Sequence, residues 1–115
     1  MGYKTLATQN FTTQTQSYNT AIGYAAGILS TTAVNNTIIG SHAGSTITTG
    51  SNNTLIGQGA GQDITDGVYN TTLGFQTMTH DRNTNGNRNV VIGAFADTSS
   101  TNSNNQNHIN NHIMD

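Results

Sequence analysis

The sequence predicts an all-β protein of stacked coils, a parallel β-roll or β-helix with about seven units of seventeen residues. Three observations carry this prediction. A glycine returns every seventeen residues at Gly23, Gly40, Gly57 and Gly74, each with Ile or Leu one position earlier and Asn four positions earlier. Short β-branched runs bounded by Asn and Gly lead into each glycine, which is a strand signal. Proline is absent and strong helix formers are scarce, so no helix is expected beyond a frayed turn at the C-terminus.

In chain order the units read NTAIGYAAG from Asn19, NTIIGSHAG from Asn36, NTLIGQGAG from Asn53, NTTLGFQTM from Asn70 and NVVIGAFAD from Asn89. The last of these places Gly93 nineteen residues after Gly74, an insertion of two. Gly2 fits a unit lacking its upstream half and lies twenty-one residues before Gly23, a period plus four. Seventeen residues past Gly93, Asn110 takes the glycine slot, and Asn tolerates positive φ best among the other residues. Residues 1–97 therefore form the repeat array, with glycines at 2, 23, 40, 57, 74 and 93, and residues 98–115 a degenerate last coil and C-terminal tail.

Within a unit, Thr-x-Ile-Gly reads as one strand, and the apolar Ile47 and Ile64 about seven residues past the glycine, each before a TTG or TDG turn, predict a second. Strands repeating at constant spacing pair in parallel with their equivalents about 4.8 Å away, so seven coils make a rod of about 30 Å. Equivalent residues then form ladders: Asn19, Asn36, Asn53, Asn70 and Asn89 in one, Ile22, Ile39, Ile56, Leu73 and Ile92 in another. Stacked Asn amides satisfy one another and the turn backbone. The Ile ladder fits the inside of a chain or the axis of a trimer equally well. Ala26, Ala43, Ala60 and Ala96 mark close backbone approach; Thr77 and Met78 break that pattern where the insertion begins. The two positions after each glycine vary freely and are expected to face solvent.

Composition excludes several classes. The chain has 115 residues, 32% hydrophobic, 7% charged, and about a third Asn plus Thr. Low charge and fixed period argue against disorder, since an array buries its apolar ladder between neighbouring units without a thick core. So few large apolar residues make a lone chain marginal, and association of copies is the remedy. Three basic residues and a net charge of −2 leave no footprint for nucleic acid. No apolar run approaches twenty residues, so membrane insertion is not expected. Without Cys there is no disulfide framework or thiolate metal site.

The repeat NTxIGxxAG, followed by a TTG-type turn and NNT, resembles the head repeats of trimeric surface adhesins and, more closely in its seventeen-residue period, bacteriophage and virus tail-fibre repeats. The resemblance covers roughly residues 19–97. It implies a parallel homotrimer, a place in a virion tail fibre or on a cell surface, other fibre or particle proteins as partners, and a part in host attachment. Many such fibres end in a self-cleaving chaperone domain. None is visible after Asp115, which fits a processed segment.

Candidate contacts for a receptor or glycan are Tyr24, His42, Phe75 and Phe95 in the variable slots, whose rings suit either sugar stacking or packing between chains. His80, Asp81 and Arg82 lie in the insertion, a charged loop that is a receptor contact or a solvated excursion. His108 and His112 of HINNH would converge as six imidazoles on a threefold axis and hold a transition metal there; alternatively His108 replaces the apolar residue of its strand slot. No other cofactor is expected. Glu is absent and no nucleophile–base arrangement is present, so the chain is not read as an enzyme. Other classes are an ice-binding solenoid, from the Thr rows Thr20, Thr37, Thr54, Thr71 and Thr31, Thr48, Thr65, and an end-to-end filament subunit.

Overall fold

A computed structural model describes residues 2–79, 85–98 and 102–109. Six three-residue strands follow one another: β1 (Thr20–Ile22), β2 (Thr37–Ile39), β3 (Thr54–Ile56), β4 (Thr71–Leu73), β5 (Val90–Ile92) and β6 (Asn107–Ile109). They form one parallel sheet in the order β1-β2-β3-β4-β5-β6, and every pair is in register: Thr20 on Thr37, Ala21 on Ile38, Ile22 on Ile39, and so to Ile92 on Ile109. The described residues form a β-solenoid of about five turns, and the seventh unit expected at Asn110 lies outside them. Residues 2–10 add part of a coil, with the N–H groups of Ala25 and Leu6 donating to Tyr3 O and Ala26 O, and Asn10 N–H to Thr31 O.

Each coil bends because left-handed residues recur in columns. Tyr18, Asn35, Asn52, Tyr69, Arg88 and Asn105 precede the Asn ladder or its equivalent with φ between 48° and 61°. A second column holds Lys4, Ala25, His42, Gly59, Gln76 and Phe95, and a third Leu6, Gly27, Gly44, Gly61 and Met78. Non-glycine residues in this region are strained. Between-coil bonds hold them there, such as His42 N–H to Tyr24 O at 2.8 Å and Gly44 N–H to Ala60 O at 2.9 Å.

The glycine before that bend has no substitute. Gly40 adopts φ 135°, and a Cβ built on it would fall against the Gly57 carbonyl of the next coil. Both the dihedral and the stacking distance demand a residue without a side chain.

Among the described residues the second strand expected in each unit does not form. Ile47 and Ile64 are fully buried, and their flanks do stack, Thr31 N–H bonding Thr48 O and Thr48 N–H bonding Thr65 O. The chain bends again at Thr48–Thr49 and Thr65–Asp66, so the paired stretch is too short to extend. The core is a narrow file: Ile38, Leu55, Thr72 and Val91 from the strand centres, Ala26, Ala43, Ala60, Thr77 and Ala96 opposite, and Ile47, Ile64 and Met78 filling between. Among the variable positions, Ala25 and Gly59 are buried, contrary to the solvent-facing expectation, whereas His42 and Phe95, at the same left-handed position with larger side chains, are exposed.

The Asn ladder closes one corner. Asn53 N–H donates to Asn36 Oδ1 at 2.9 Å, Asn70 N–H to Asn53 Oδ1 at 2.9 Å, and Asn89 N–H to Asn70 Oδ1 at 3.0 Å. Each Nδ2 donates to the carbonyl fourteen or sixteen residues ahead, Asn53 to Gly67 O at 2.9 Å and Asn70 to Gly86 O at 2.7 Å. Gly86 thus occupies the slot of Gly67, so the two inserted residues are absorbed before Asn89 rejoins the ladder. Gln106 continues it, its N–H donating to Asn89 Oδ1 at 2.9 Å.

Candidate functional site

Strand alternation decides which residues meet solvent. In a three-residue strand the centre points one way and both flanks the other. Here the centre points in, so the ladder of Ile22, Ile39, Ile56, Leu73 and Ile92, extended by Ile109, lies on the outer face. It is not inside the chain. Ile22 is 45% exposed, Leu73 47% and Ile109 64%, while Ile39, Ile56 and Ile92 are half-buried between neighbours. Beside this row runs a second, Thr20, Thr37, Thr54, Thr71, Val90 and Asn107, giving an uncharged face two columns wide and six strands long.

The hydroxyls of Thr20, Thr37, Thr54 and Thr71 make no hydrogen bond with the described residues. The other Thr row differs. Thr31 and Thr48 donate to the carbonyls of Thr48 and Thr65, and Thr48 also reaches Asp66 Oδ1 at 2.9 Å. Those hydroxyls serve the coil, and only the strand row is free for an outside partner.

The ring-bearing candidates gather in two groups rather than one. Tyr24 stacks on Tyr3 with centroids 5.9 Å apart and meets the His42 ring edge-on at 5.2 Å; Ser41 Oγ lies 3.0 Å from His42 Nδ1. Two coils further along, Phe75 and Phe95 meet edge-to-face at 5.2 Å. Gln58 and Gly59 separate the groups. Single cations accompany other rings, Lys4 Nζ 5.4 Å from the Tyr3 centroid and Arg88 5.8 Å from that of Tyr69.

His80, Asp81, Arg82 and His112 lie outside the described residues. His108 stands in register with Val91 on β6 and is exposed. Among the described residues no three metal-ligating side chains come together, and no helix is long and apolar enough to cross a membrane.

One feature escaped the sequence: an open pocket of about 320 Å³ beside the first coil, where residues 10–15 arch over Thr32 and Val34. Its signal was the four extra residues between Gly2 and Gly23 and the lone Phe11 in a Thr/Gln run. Comparison of the chain with protein families, with curated proteins and with solved structures gives no match.

Proposed function

We propose that this chain is a structural and attachment segment of a trimeric viral or phage tail fibre, its three copies packed in parallel through their outer strand faces. The observation that carries this reading is the exposed row from Ile22 to Ile109. Scattered surface Ile and Leu need no explanation, but a contiguous uncharged row along a whole sheet marks a surface meant to be covered. Full burial of an Ile or Leu is worth about 1.5–3 kcal/mol, so covering the open half of six contributes on the order of 5 kcal/mol per chain. A solenoid whose interior is one side chain across gains much from that. The likeness of NTxIGxxAG to tail-fibre repeats supports three copies and attachment as the task.

Light scattering on the double variant Ile39→Glu, Ile56→Glu tests this reading. The chain keeps its circular dichroism, because neither side chain enters the core, and its mass falls to that of a monomer. A variant that retains the mass of the unaltered chain would refute the packing through this face.

One observation favours a second reading. The unpartnered hydroxyls of Thr20, Thr37, Thr54 and Thr71 stand about 4.8 Å apart in a flat row beside apolar Ile, a surface able to order water. The row ends at Val90 and Asn107. Thermal hysteresis of a dilute monomeric solution would favour an ice-binding solenoid over the fibre.

A further inference from the structure

We infer that the pocket formed by residues 10–15 over the first coil is a binding subsite for a neutral sugar residue. It is about 320 Å³, within the range of small-ligand sites, which begins at about 300 Å³. The lining is one aromatic ring, Phe11, one aliphatic side chain, Val34, and otherwise hydroxyls and an amide. A pyranose has the same two characters, an apolar C–H face and a rim of hydroxyls, and an aromatic face beside uncharged hydrogen-bonding groups complements both.

The polar groups are not all engaged. Thr13 and Thr15 bond each other, with hydroxyls 3.4 Å apart, and Thr15 Oγ1 donates to Thr13 O at 3.3 Å, which shapes the arch. The Asn10 amide and the hydroxyls of Thr12 and Thr32 bond no described residue. They remain to accept from and donate to a ligand. Both walls are anchored to the coil, Asn10 N–H donating to Thr31 O at 2.9 Å and Thr32 N–H to Thr48 O at 3.3 Å. No charged side chain lines the pocket. An acidic sugar would enter without a counter-ion, and the chemistry selects an uncharged one. None of the lining residues belongs to the strand row from Ile22 to Ile109, so packing of copies through Ile39 and Ile56 does not use them. The inference rests on the attachment reading for its biological sense only.

The test is a titration of the ¹⁵N-labelled chain with neutral oligosaccharides of glucose, galactose, mannose and N-acetylglucosamine, with sialylated and sulfated counterparts alongside. At least one neutral member should shift the amides of residues 10–15 and 32–34. Phe11→Ala should weaken that binding about tenfold with unchanged circular dichroism. Thr32→Val, which removes a hydroxyl and keeps the volume, should weaken it severalfold and carries the test if Phe11→Ala unfolds the arch. No response to any neutral sugar, a response to acidic sugars alone, or shifts mapping to Phe75 and Phe95 would overturn the assignment. Oligomeric mass measured on the same samples separates the two ideas: a trimer without sugar binding refutes the subsite alone, and a sugar-binding monomer refutes the trimer alone.

Discussion

Thr72 and Met78 exchange volume within one coil. In the coil before, the strand centre is Leu55 and the left-handed position six residues later is Gly61, where an added Cβ would meet Leu55 Cδ2 at 2.8 Å. In the next coil the strand centre shrinks to Thr72, and Met78 takes the left-handed position at φ 50°, fully buried. At the first coil the strand centre Ala21 and the left-handed Gly27 are both small, and Leu6, at φ 46° in the preceding part-coil, reaches within 3.0 Å of a Cβ built on Gly27. One side chain fills the space from either wall.

Thr72→Leu alone should therefore overpack and destabilise by about 1–3 kcal/mol. Adding Met78→Gly rebuilds the Leu55 and Gly61 pairing and should recover most of that loss, while Met78→Gly alone leaves a cavity and costs about 2–5 kcal/mol. Urea midpoints of the two single variants and the double give the coupling directly.

The Thr72 hydroxyl has no hydrogen-bond partner although it is fully buried. Thr72→Val keeps the shape, matches Val91 in the next coil and removes a desolvated polar group. The melting temperature should rise, with a gain of about 1 kcal/mol.

Asn53 accepts from both N–H and Nδ2 of Asn70 and donates to Asn36 Oδ1 and Gly67 O. Asn53→Ala leaves these buried groups unpaired and should cost about 3 kcal/mol or more. Asn53→Asp keeps the acceptor but aims a carboxylate at two oxygens, and should be no better. Asn19→Ala, at the half-buried end of the ladder, should cost less than half as much by the same urea measurement.

Gly57→Ala should be the most damaging conservative change. At φ 132° its Cβ would strike the Gly74 carbonyl, and neither coil can retreat without breaking the strand ladder on both sides. A loss of about 3 kcal/mol or more is expected from equilibrium unfolding.

The period, the parallel strands and the glycine column were legible because each follows from residues repeating at one spacing. The direction of the Ile ladder was not. Thr-x-Ile alternation says that Thr54 and Ile56 share a face opposite Leu55, but both faces carry apolar residues, and only closure of the coil around Leu55, Ala60 and Ile64 decides which is inside. The second strand was overread at Ile47 and Ile64 for a similar reason. Burial there is real, but bends at Thr48–Thr49 and Thr65–Asp66 restrict pairing to isolated bonds. The arch at residues 10–15 showed in the sequence only as extra length and a lone Phe11, because its floor at Thr32 and Val34 comes from the following coil.

Native mass spectrometry of the unaltered chain, followed through serial dilution, reads out whether three copies associate. A trimer of three times 12.1 kDa that survives dilution is expected. A folded monomer at every concentration, with the row from Ile22 to Ile109 open to solvent, would contradict it.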